Sequence, residues 1–134
     1  MRLLQPILAI IAVLFVGLFV ATYFHLYFLL PNFDKVLHFL GGLAATWFLL
    51  VYLSDDMRRS SPLSRFLLLV GTTALIGLLW EFAEYTSSHY LGAFPLIQKY
   101  FSGGDLFDTL TDLAFDILGA LPIAFATLTK NKSS

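Results

Sequence analysis

The sequence predicts an all-α integral membrane protein, a four-helix transmembrane bundle with a short interfacial helix between spans three and four. Three observations predict it. Hydrophobic residues make up 58% of the 134 positions and charged residues only 13%, with a mean hydropathy of +0.81, whereas a soluble domain carries about 25% charge. The apolar residues gather in four runs, each near the roughly 20 residues that a helix needs to cross a hydrocarbon core of about 30 Å. Within the last run, Asp105, Asp108, Asp112 and Asp116 recur at helical spacing and fall within one sector of about 80° on a helix surface. The chain is therefore read as one transmembrane domain over residues 1–134, with no separate soluble part.

The first span covers about residues 3–30. It begins like a signal peptide, with Arg2 before an apolar stretch, but the run is too long for such a segment and shows no small-x-small cleavage site. Pro31-Asn32 breaks it. The second span, 33–53, carries Asp34 and His38 one turn apart on one face, and Gly41-Gly42 allows another backbone to come close. Ser54 to Pro62 (SDDMRRSSP) has no periodicity and reads as a plain loop. The third span, 64–85, ends in WEFAEY, with Glu81 and Glu84 on a shared face. In the connection that follows, Phe94, Leu96, Ile97, Tyr100 and Phe101 repeat at helical spacing around Pro95 and predict the interfacial helix. Asp105 is placed to cap the fourth span, 105–128, in which Pro122 predicts a bend.

Orientation follows from the basic residues. The side holding the N-terminus, the second connection and the C-terminus has Arg2, Arg58, Arg59, Arg65, Lys130 and Lys132, while the other holds Lys35 and Lys99. The excess predicts an inner (cytoplasmic) membrane protein with both termini cytoplasmic. No basic patch points to nucleic acid. With no cysteine in the chain, thiol chemistry and disulfides are excluded.

The chemistry then faces outward. Counting 1.5 Å per residue from each outer helix end places His38, Glu81 and Asp108 to Asp112 at similar depth, with Asp34, Glu84 and Asp105 above and Asp116 below. A carboxylate in hydrocarbon costs several kcal/mol unless protonated, paired or bound to a cation. Gathered in a bundle interior, these acids resist joint ionisation, so protons or a metal ion must compensate. Carboxylates with one or two histidines suit magnesium, calcium, manganese, iron or zinc rather than copper(I). The metal ligand set is drawn from His38, Glu81, Glu84, Asp108, Asp112 and Asp116. The same acids also admit a purely architectural reading, as an interhelical hydrogen-bond network. Lys35 reads either as a snorkelling partner for Asp34 or as a binder of an anionic group. His25 beside Tyr23 and Tyr27 reads as interfacial, His89 as a loop residue, and Trp47 as packing.

Asp34-Lys35-x-x-His38-Phe39, then Glu81-x-x-Glu84, then Asp112-Leu113-x-x-Asp116-x-x-Gly119-Ala120 resembles the VanZ-like family of small multi-helix bacterial membrane proteins. WEFAEY and GGDLFDTLTDLAFDILGA look most like its YjdF-like branch, and the likeness spans about residues 33–125. Asp34, Lys35, His38, Glu81 and Asp112 match the family pattern by position, while Glu84 and Asp116 are acids where many relatives carry amides. The departure makes this pocket more acidic and favours a cation.

Together these readings lead to an expected metal-dependent enzyme of the cell envelope acting on a membrane lipid or lipid-linked substrate. His38, Glu81 and Asp112 are the expected catalytic residues, Lys35 and Asp34 the expected substrate contacts, and a divalent ion the expected cofactor. The alternatives are proton or cation transport along the Asp105 to Asp116 stripe, and a non-catalytic accessory subunit whose polar core holds a partner.

Overall fold

The computed structural model of the chain describes residues 2–91, 93–94 and 105–129. Among these there is no strand, and four helices are long and apolar enough to cross a membrane: Leu4–Ala21, Phe33–Tyr52, Pro62–Tyr90 and Leu106–Leu128. The interfacial helix expected around Phe94 to Phe101 falls almost wholly on residues 95–104, outside the described part.

The first span is interrupted rather than continuous. Helix α1 (Leu4–Phe15) passes into a π-helical stretch, Val16–Ala21, and the chain then turns through His25, at a φ of 53°, into the single turn α2 (Leu26–Leu29). The wider π turn is where a helix accommodates an inserted residue, and here the Tyr27 hydroxyl folds back to donate to the Gly17 carbonyl at 2.9 Å. Asn32, in the left-handed region at a φ of 64°, redirects the chain into α3 (Phe33–Tyr52); asparagine tolerates that conformation better than most residues.

The polar stretch after α3, read from sequence as a loop, contains a short helix, α4 (Ser54–Arg59). Its charges explain the difference: Asp55 and Asp56 lie in the first turn and Arg58 and Arg59 in the last, each favourable to the helix dipole, while Met57 anchors the turn at 4% exposure. Helix α5 (Pro62–Tyr90) starts on a Ser61 cap, whose hydroxyl accepts from the Ser64 amide at 3.1 Å, with Pro62 in the first turn. It runs past the expected end near residue 85, so His89 is helical and stacks on Tyr85 at 5.3 Å between ring centres. Helix α6 (Leu106–Thr129) is capped by Asp105, which accepts from the Asp108 amide at 2.9 Å, and it continues through Pro122.

Helices α3, α5 and α6 form the core, with α6 packed on both others, and α1 lies mainly against α3. Helices in lipid associate through close packing and polar contacts rather than hydrophobic burial. Small residues supply the closeness: a β-carbon on Gly42 would run into the Asp116 backbone carbonyl, and one on Gly119 into that of Phe39. Gly41 has open space around it, so only the second glycine of the pair serves the interface. On α5 the buried residues Leu69, Thr73, Gly77 and Glu81 recur every four positions, a single stripe facing α3 and α6. Leu49, Met57, Leu69 and Ala124, with Phe48, Leu50, Leu53, Phe66 and Val70 around them, close the bundle at the α4 end. Exposed Leu8, Phe15, Leu67, Leu79 and Phe125 present an apolar exterior. Trp47 belongs partly to that exterior, at 37% exposure.

Candidate functional site

The buried stripes of α3, α5 and α6 change character along the bundle, from the apolar cluster at the α4 end to a polar centre at the other. One step above the apolar cluster, Thr46 donates to the Gly42 carbonyl at 2.7 Å and lies 2.8 Å from the Thr73 hydroxyl. Thr46 has one proton to give, so Thr73 is the donor between them. Above that pair sits Asp116. A β-carbon at Gly77 would occupy the position of its carboxylate, so the glycine of α5 makes the room into which the acid projects.

His38 is the hub. Its Nδ1 lies 3.3 Å from Asp116 Oδ2, and its Nε2 lies 3.7 Å from Glu81 Oε1, 3.9 Å from Asp112 Oδ1 and 4.0 Å from Asp34 Oδ1. His38, Glu81, Asp112 and Asp116 are all buried. A neutral His38 that donates from Nδ1 to Asp116 turns its Nε2 lone pair toward Glu81, the arrangement by which a carboxylate fixes the tautomer of a metal-binding histidine. Glu81 Oε1 has no hydrogen-bond partner. A buried acceptor of this kind needs a proton or a cation to offset its desolvation.

Lys35 answers the upper part of the acid stripe. It hydrogen-bonds Asp108, lies 2.7 Å from Asp112 Oδ1 and stands 3.9 Å from Asp34. The contact to Asp112 is an ion pair without hydrogen-bond alignment. Of the two readings of Lys35, neither describes this geometry fully: it pairs most closely with the acids of α6, and Asp34 is its most distant carboxylate.

Two ligand sets of three arise around the same histidine. Asp34, His38 and Asp112 each offer an atom within 4.8 Å of the others, and so do His38, Glu81 and Glu84. The second set fits a cation better, since Asp112 Oδ1 is already engaged by Lys35 whereas Glu81 Oε1 is unsatisfied. All the sequence-derived site residues, Asp34, Lys35, His38, Glu81, Glu84, Asp108, Asp112 and Asp116, therefore come together. Asp105 is spent on capping and remains exposed.

A cavity of about 330 Å³ leads away from this centre. Its polar end is formed by Asp34, His38, Glu84 and Asp116, and its walls by apolar residues of α1, α3 and α5, among them Val13, Leu14 and Ile76. Tyr27 and Trp80 also line it. About half of Tyr27 is exposed, and its hydroxyl donates to the Gly17 carbonyl. Sequence reasoning did not single out Gly77, Thr73 or the α1 wall. The four-residue repeat ending in Glu81 would have found the first two; the third depends on how α1 docks.

Residues 3–132 match the DUF2238 family, described as a predicted membrane protein. The chain belongs to that family. It is also 34% identical over 96 residues to an uncharacterised protein of Thermotoga maritima, an alignment covering 68% of this chain and 45% of the relative, so the chain spans about half the length of that protein. No solved structure matches. This member of DUF2238 is thus a multi-pass membrane protein with a buried acidic and histidine cluster.

Proposed function

We propose that this protein is a membrane-embedded, divalent-metal-dependent enzyme acting on a lipid or lipid-linked envelope substrate. The observation that carries the reading is the cavity: apolar along its walls and closed at one end by His38, Asp34, Glu84 and Asp116. It suits a ligand with a hydrocarbon tail and a polar group to be handled. The resemblance of the DKxxHF, ExxE and DLxxD motifs to VanZ-like proteins belongs to the same reading, as does an inner-membrane orientation with both termini cytoplasmic and the cluster facing out.

His38 through Nε2, Glu81 and Glu84 would hold the ion, and an oxygen-rich set with one imidazole suits magnesium, manganese, iron or zinc. Such an ion supplies Lewis acidity and lowers the pKa of a bound water. Asp116 positions His38 by accepting a hydrogen bond from its Nδ1–H. Asp34, on the cavity wall and 4.0 Å from His38 Nε2, serves as the proton acceptor. Asp112 is held by Lys35, so both are assigned a supporting role: Lys35 neutralises the α6 acids Asp108 and Asp112, and the pair borders the face that His38 packs against. Tyr27 lines the cavity with its ring, its hydroxyl proton being committed to the Gly17 carbonyl.

Transport along the acid stripe finds less support, because below Asp116 no buried acid follows among the described residues: the buried polar groups there are the Thr46–Thr73 pair and Thr127, which bonds the Ala124 carbonyl, with the packed apolar cluster between. The deciding experiment measures metal content of the purified protein together with thermal melts in added magnesium, manganese, iron(II) or zinc. A stoichiometric ion, lost in His38→Ala and Glu81→Gln, is expected, as is turnover of an envelope lipid extract that Asp34→Asn abolishes. Absence of both metal and any divalent stabilisation overturns the reading.

A further inference from the structure

A second cavity, of about 640 Å³, lies at the opposite end of the bundle, where α3, α4, the start of α5 and the last turns of α6 meet. Its walls include Trp47, Leu50 and Ile123, and two guanidinium groups, Arg58 and Arg65, stand among its polar lining. Among the described residues no acid lines it, and Asp55, one helical turn before Arg58 on α4, is exposed and outside the lining. Arg65 Nε donates to the Ser60 carbonyl at 3.1 Å, which fixes the direction of that side chain. Arg58 is exposed.

The level of this cavity is that of a membrane surface. Tyr52, 63% exposed, stacks on Phe48, and Trp47 is exposed one turn further in, the placement of residues in an aromatic belt. Guanidinium groups match phosphate geometry with paired donors. Phosphate alone would leave the apolar wall unexplained, whereas a phospholipid meets both parts at once. Basic pockets between spans on the cytoplasmic side take anionic headgroups in this manner.

We propose that this groove is a binding site for an anionic phospholipid, its phosphate held by Arg58 and Arg65 and one acyl chain lying along Trp47, Leu50 and Ile123. The assignment is independent of the chemistry at His38. The chain has two tryptophans, so Trp80→Phe leaves Trp47 as the single reporter. In mixed micelles, phosphatidylglycerol with brominated chains is expected to quench Trp47 at a several-fold lower mole fraction than brominated phosphatidylcholine, roughly fivefold for each arginine engaged. Arg58→Gln, which removes an exposed group, should lose about one such factor, and Arg58→Gln with Arg65→Gln the whole preference. Native mass spectrometry of the unsubstituted chain provides a second readout, with phosphatidylglycerol adducts expected there and absent from the double variant. Equal quenching by both lipids, or a preference that survives the double substitution, overturns the proposal. Reversal of the quenching by soluble glycerol phosphate at the same concentration replaces it with a free-phosphate site.

Discussion

His38 Nδ1 and Asp116 Oδ2 meet at 3.3 Å between α3 and α6, and the carboxylate occupies space that only a glycine at position 77 leaves open. The polar centre is therefore built on backbone proximity as well as on charge. Gly77→Ala should displace Asp116 and lower stability by about 1–3 kcal/mol, the usual cost of overpacking. Gly42→Ala meets backbone rather than side chain and should cost at least as much, while Gly41→Ala, with open space around it, should be neutral or gain up to about 1 kcal/mol from helix propensity. Thermal melts of the three variants in one detergent check the order.

Asp116 also sets the histidine tautomer in the proposed ion site. Asp116→Asn should weaken divalent binding about 10-fold to 100-fold, as loss of a partner behind a metal-ligating histidine does, while His38→Ala should abolish it. Calorimetric titration with manganese separates the two. Equal affinities for wild type and Asp116→Asn would remove Asp116 from this role.

Lys35 is a counter-charge for α6. Asp112 is 2% exposed, so Lys35→Met leaves a buried carboxylate unpaired and should destabilise by about 3–5 kcal/mol. Adding Asp112→Asn should restore part of that loss, and a double-mutant cycle measures the coupling. Additive effects would show that the 2.7 Å pair contributes no specific interaction.

Thr46→Val and Thr73→Val should each cost about 0.6–1.7 kcal/mol, the range for interhelical hydrogen bonds in membranes. Their double variant should cost less than the sum, read from the same melts.

Tyr27→Phe should cost about 1 kcal/mol by releasing the Gly17 carbonyl. Protease cleavage in the turn around His25 should then be faster than in wild type.

Much of this was written in the residues themselves. Apolar run lengths specify four spans, because a helix in hydrocarbon must satisfy its own backbone and needs a fixed length to do so. The repeat of Asp108, Asp112 and Asp116 specifies a face, since 3.6 residues per turn stacks them, and so the membership of the cluster was legible. Partnership was not. One helix's sequence does not fix its rotation against another, so it took the packed bundle to give Lys35 to Asp108 and Asp112, Asp116 to His38, and to leave Glu81 Oε1 unsatisfied. The same holds for the apolar cavity beside α1, which exists only because three helices leave a gap between them. Local spacing is a property of the chain, while which charges neutralise one another depends on distances between helices that only their packing sets.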